Sequence, residues 1–133
     1  MLKKIFLLLC IVIAASTAMV SAQDSDPNLG IIPAPVSLKK SSGNFNINQK
    51  TVILADSLDN KAVLFLTDYL QNKAMLHVQL KQNNGTGTVN SIVLTSTGTD
   101  NLPADGYRLT ITPQQVLIAG KGAGIHNGVQ ISA

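Results

Sequence analysis

The sequence predicts an α+β fold: a mixed or mostly antiparallel β-sheet with one or two helices packed on one face. Three observations carry this. Short apolar runs of strand length recur along the chain, at Thr51–Ala55, Ser91–Thr95 and Val116–Ala119. Only one stretch, from Leu58 to Tyr69, keeps helical spacing over several turns. A second helix only begins, after the glycine-rich Gly120-Lys121-Gly122-Ala123-Gly124. One firm helix among five or six strands cannot cover both faces of a sheet, so the helices gather on one side.

The first 22 residues read as a signal peptide. Lys3-Lys4 precedes an apolar run, Ile5–Ala15, followed by small residues up to Ala22, the three parts of an export signal. Eleven apolar residues fall short of the ~20 that span a bilayer, so an anchor is the weaker reading. Cleavage is expected after Ala22, with Ala18 as the alternative. Cys10 lies within that run and follows Leu7-Leu8-Leu9 rather than a small residue, unlike a lipid-modified cysteine. Residues 23–133 then form a single domain, with no cysteine and so no disulfide or thiolate metal site.

Removing Lys3 and Lys4 from ten basic residues leaves eight against seven acidic ones. The mature chain is close to neutral, and its basic pI belongs mostly to the export signal. No basic cluster with interleaved aromatics argues for nucleic acid. After signal removal nothing argues for a membrane either.

In chain order, Gln23–Asn28 is polar and expected to be loose. Pro33 and Pro35 hold the next stretch extended, and Lys39–Gly43 is a solvated turn. Phe45 and Ile47 alternate with asparagines as a short strand with one wet face. Thr51–Ala55 is β-branched and apolar, an interior strand. Asp56 or Ser57 is expected to cap the following helix, with Asp59 in its first turn at the positive end of the dipole. Leu58, Ala62, Phe65, Leu66 and Tyr69 form its apolar stripe. Met75–Leu80 alternates, with Leu76, Val78 and Leu80 on one face and His77 on the other. Asn84-Gly85 sits in a loop that could close a hairpin; Asn84-Gly85-Thr86 also fits the glycosylation triplet. Ser91–Thr95 is a buried strand and Thr97–Pro103 a polar loop. Asp105-Gly106 turns into Tyr107–Thr112, where Tyr107, Leu109 and Ile111 alternate with polar residues. Pro113-Gln114-Gln115 breaks it, and Val116–Ala119 reads as a strand covered on both faces.

The run Asp105-Gly106-Tyr107-Arg108-Leu109-Thr110-Ile111, followed by Ile118, Gly120, Gly124, Gly128 and Gln130, resembles the end of the small N-terminal domain of family 20 glycoside hydrolases, the β-N-acetylhexosaminidases. Ile31-Ile32-Pro33-Ala34-Pro35-Val36 resembles that domain's opening. The resemblance spans roughly Leu29 to Gln130. It implies the same helix-backed sheet and a catalytic barrel as partner. It also implies substrate-assisted retaining hydrolysis of terminal N-acetylhexosamine by an adjacent Asp-Glu pair. His126 stands where the family often carries an aromatic, which is expected to weaken packing of the last helix. The chain stops within the helix that bridges to the barrel, so its last turns are expected to fray and leave apolar sheet surface exposed.

The chemistry for hydrolysis is missing from these residues. There is no glutamate and no tryptophan, while glycosidases need carboxyl groups flanking the scissile bond. A barrel takes ~250 residues, more than this chain holds. Asp56 and Asp59 fit caps, Asp105 a turn, and Asp24 and Asp26 a loose terminus. His77 and His126 have no partner spacing. Glycine-rich phosphate loops fail on position, because Ile125 stands three places after Gly122 and Gly122 follows Lys121. No catalytic, cofactor-binding or metal residue is assigned and no cofactor is implied; oligomeric state is left open. The chain is expected to be an exported structural domain, inactive alone and cut short before its barrel. The alternative is a free-standing exported module that binds through an open sheet face.

Overall fold

The computed structural model describes residues 35–40, 42–86 and 88–132. The expected signal peptide, Cys10, the polar stretch Gln23–Asn28 and Ile31–Ala34 lie outside them. Ser41–Ala133 forms a compact unit separate from Met1–Lys40; Pro35–Lys40 carries no helix or strand. Five strands, β1 (Val52–Ala55), β2 (Gln79–Gln82), β3 (Ser91–Thr95), β4 (Tyr107–Ile111) and β5 (Gln115–Gly120), pair in the order β2-β1-β3-β5-β4. Among the described residues two helices accompany them, α1 (Lys61–Asn72) and α2 (Ala123–Ser132).

The α+β class holds, and of the two sheet arrangements expected, the mixed one is found. β1 runs parallel to β2 and to β3, and β3 runs parallel to β5. β4 pairs antiparallel with β5, through the Pro113 turn. The hairpin considered at Asn84-Gly85 does not form. β1 lies between β2 and β3, because its apolar residues Ile53, Leu54 and Ala55 are all buried and take a neighbour on each side. The connection from Asn83 to Asn90 therefore returns along the sheet to start β3 parallel to β2. Asn90 takes φ 60° at its end, a left-handed conformation that asparagine tolerates. Its side chain links Thr51 and Asn48 at 2.9 and 3.2 Å.

The strand expected at Gly43–Ile47 is absent. The asparagine side chains there serve local turns: Asn48 donates to the Asn46 carbonyl at 3.2 Å and accepts from the Lys50 amide at 2.9 Å. Such bonds compete with a ladder. Phe45 still packs against the core, while Ile47 is exposed.

α1 is present, but its cap and its face differ from expectation. Asn60 is the cap, its Oδ1 accepting from the Ala62 amide at 2.9 Å. Asp59 bonds Ser57 instead, and the first turn carries no acid. The buried residues are Ala62, Val63, Leu66 and Leu70. Leu58 and Phe65 lie toward solvent at 39% and 40% exposure, so the stripe is rotated toward Val63 and Leu70.

Both helices cover one face. Ile53 and Ala55 of β1, Ile92 and Leu94 of β3, and Val116 and Ile118 of β5 join the α1 residues with Ile125 and Val129 of α2. Val78, Leu80 and Leu109 pack at its margin; the alternating stretch Met75–Leu80 becomes strand only from Gln79, and Ile111 lies outside this packing. α2 extends to Ser132, and Val129 is fully buried. Beneath α2 the sheet is covered, Val116 and Ile118 being 6% and 0% exposed, while Ile111 at the end of the edge strand β4 stays 49% exposed.

Glycines set how closely α2 approaches. A Cβ on Gly128 would stand 2.6 Å from Ile118 Cγ2 and 3.2 Å from the Tyr107 ring. One on Gly124 would stand 2.1 Å from the Gly106 carbonyl oxygen. Two residues four apart share one helix face, so this face is backbone, seated on β4, β5 and the preceding turn.

Candidate functional site

Four parallel strands, β2, β1, β3 and β5, finish at the same end of the sheet, where open α/β sheets commonly hold ligands. Asp56 follows β1 directly. Its Oδ2 accepts from Thr95 Oγ1 and the Ser96 amide, each at 2.8 Å, and from Ser96 Oγ at 3.3 Å. Its Oδ1 accepts from Asn83 Nδ2 at 2.8 Å, and its carbonyl from Gln82 Nε2 at 2.6 Å. One carboxylate thus ties the ends of β1 and β3 to the segment after β2.

Partial burial raises the Asp56 pKa, but the Ser96 amide, Thr95, Asn83 and Ser96 hydroxyl donors outweigh it and hold the carboxyl below its ordinary value. Asp56 is therefore an acceptor held by four donors, three on Oδ2 and one on Oδ1. A general acid needs the opposite, a raised pKa and a proton aimed outward.

A cavity of about 190 Å³ opens beside this carboxylate. Val63, Leu94 and Ile125 form its apolar lining, with Asn60, Ser96 and Lys121 as polar members. It is smaller than the ~300 Å³ at which ligand pockets begin, and no aromatic ring lines it to stack a sugar. Lys121 pairs with Asp100 at 3.2 Å in an exposed ion pair, a weak interaction.

The remaining candidates are scattered. Asp68 accepts from Asn72 at 2.6 Å on the solvent side of α1. Asp105 is in a turn, its carbonyl accepting from Asn127 Nδ2 at 3.3 Å; Asp24 and Asp26 lie outside the described residues. His77 is exposed ahead of β2. The His126 ring meets Phe65 edge-on at 5.9 Å, and Phe65 lies 6.3 Å from Tyr69. Gly120-Lys121-Gly122 forms the strand-to-helix turn, with Gly122 at φ 50°. Among the described residues no three of His, Cys, Asp and Glu converge to hold a metal.

Two further faces matter. Opposite the helices, register places Leu54, Val93 and Leu117 in one cross-strand row, of which Leu54 and Val93 are buried. Tyr107 falls on the helix side, beside Gly128, and Phe45 packs with the core. The row therefore offers no aromatic platform for a sugar among the described residues, and the free-standing binding module is not favoured. On the outer side of the helices, Leu64 is 52% and Phe65 40% exposed, beside half-buried Tyr69 and His126. Sequence reasoning missed this surface by turning Phe65 inward, and missed Asp56 as a hub by reading it as a cap. A polar residue straight after a buried apolar run such as Ile53-Leu54-Ala55 is the signal for such a hub, because several strand ends meet there.

No curated protein matches the chain closely enough to count as a relative. The family model described as glycosyl hydrolase family 20, domain 2, matches residues 28–131. That range contains every strand and nearly all of both helices, so the chain belongs to glycosyl hydrolase family 20, through its domain 2.

Proposed function

We propose that this chain is the non-catalytic N-terminal domain of an exported β-N-acetylhexosaminidase, and that its role is to support a catalytic barrel. The domain 2 match over 28–131 carries the reading. It is supported by the absence of glutamate and tryptophan, and by an Asp56 carboxylate locked as an acceptor. The parent enzyme removes terminal N-acetylhexosamine from glycans by substrate-assisted retaining catalysis, with its Asp-Glu pair on the barrel. The barrel docks on the outer helix surface around Leu64 and Phe65, where apolar area stands uncovered. Residues 1–22 direct export to the periplasm or the extracellular space.

The purified chain should release no 4-nitrophenol from 4-nitrophenyl N-acetyl-β-glucosaminide, and the nucleotides beyond codon 133 should encode a barrel with an Asp-Glu pair. Turnover by the homogeneous chain, or no barrel coding in any frame, overturns the proposal. In a barrel-bearing chain, Leu64→Ser with Phe65→Ser should lower the barrel's melting temperature; an unchanged value would remove the docking surface.

A further inference from the structure

The sequence offers several peptide bonds at which an asparagine side chain can be attacked by the next backbone nitrogen: Asn84-Gly85 and Asn127-Gly128, with Asn90-Ser91 a slower case. Glycine favours the attack because no Cβ shields its nitrogen and its backbone turns freely. The fold separates these bonds sharply. Gly128 is buried within α2, its amide committed to a helical bond and its Cα pressed on Ile118. Ser91 is fully buried, and the Asn90 side chain is bonded to Thr51 and Asn48. Asn84 and Gly85 are both exposed between β2 and β3, outside any regular element. Gly85 takes φ 77°, with no atom within 4 Å of the position a Cβ would occupy. Its amide is restrained by a single exposed bond to Asn83 Oδ1, at 3.1 Å.

We infer that Asn84 is a site of spontaneous, fold-selected deamidation. The Gly85 nitrogen attacks Asn84 Cγ, forming a C–N bond. The bond from Cγ to the side-chain nitrogen breaks, and that nitrogen leaves as ammonia, carrying the proton lost from the Gly85 amide. The resulting succinimide takes up one water, opening at either carbonyl to aspartate or isoaspartate. A new carboxylate then stands next to Asn83, whose amide nitrogen donates to Asp56 Oδ1 at 2.8 Å. The isoaspartyl product also lengthens the backbone of the segment leading to β3. Either product removes the acceptor nitrogen from the Asn84-Gly85-Thr86 triplet, so deamidation and glycosylation exclude each other.

The test is to age the native chain in mildly alkaline buffer, digest it with trypsin and follow the amide-to-acid gain by mass spectrometry. Cleavage after Lys81, Arg108 and Lys121 separates the peptide 82–108 from 122–133. Asn84 should convert at least about tenfold faster than Asn127, since attack inside α2 must wait for local opening. Asn84→Gln should abolish the fast conversion, and denaturant should bring the two sites to comparable rates. Equal rates in the native chain, conversion at Asn127 or Asn90 ahead of Asn84, or a ratio unchanged by denaturant would overturn the inference.

Discussion

Replacing Gly124 with alanine tests the close seating of α2. The added Cβ would lie 2.1 Å from the Gly106 oxygen, 2.9 Å from its carbonyl carbon and 3.1 Å from the Asp105 carbonyl carbon. Non-bonded heavy atoms prefer roughly 3.5 Å or more, so α2 or the Pro103–Gly106 turn must move by more than about 1 Å. The obstacle is backbone, which has no rotamer to escape into. Gly106 is itself fixed, its amide bonding the Pro103 carbonyl at 2.9 Å. Overpacking of this kind costs about 1–3 kcal/mol, occasionally more, while alanine returns at most ~1 kcal/mol of helix propensity. A net loss of about 2 kcal/mol is expected, a fall of roughly 10 °C in melting temperature for a domain of this size. Thermal melts followed by circular dichroism measure it. Gly98→Ala is the control: φ is 70° but the space is open, so only backbone strain of ~1 kcal/mol applies. If Gly124→Ala melts at or above the wild-type temperature, or above Gly98→Ala, the close-approach argument fails.

Other consequences can be measured the same way. Leu66→Ala should cost about 3 kcal/mol and Phe65→Ala under ~1 kcal/mol in the isolated chain; the reverse order would restore the inward Phe65 read from the sequence. Asn60→Ala should lose about 1 kcal/mol as a cap, whereas Asp59→Ala should stay within ~0.5 kcal/mol; denaturant titration separates them. Met75, exposed with φ 55° just after α1, is held in a conformation that glycine adopts without strain, so Met75→Gly should stabilise by up to ~1 kcal/mol. Asp56 has a lowered folded pKa, so its contribution is fully present above the unfolded value of 3.8 and is lost as pH falls through the depressed folded value. Melts across that acid range should show a drop that is reduced in Asp56→Asn; equal drops would mean that other groups dominate.

The sequence by itself determined where the chain is apolar and with what period. It located β1, β3, β4, β5 and both helices, because burial on a strand or helix leaves its imprint on consecutive residues. Strand order was not legible: Asn84-Gly85 suits a hairpin locally, but burying Ile53, Leu54 and Ala55 between two neighbours sends the chain past β1 instead. Nor were the rotation of α1, set by which side chains pack on the sheet, and its start, set by whether Asn60 or Asp56 meets the first free amides. Asp56 was already engaged by Thr95, Ser96 and Asn83, residues 27 to 40 positions away. Those choices belong to the tertiary structure because each is a competition for one partner among groups that only folding brings together.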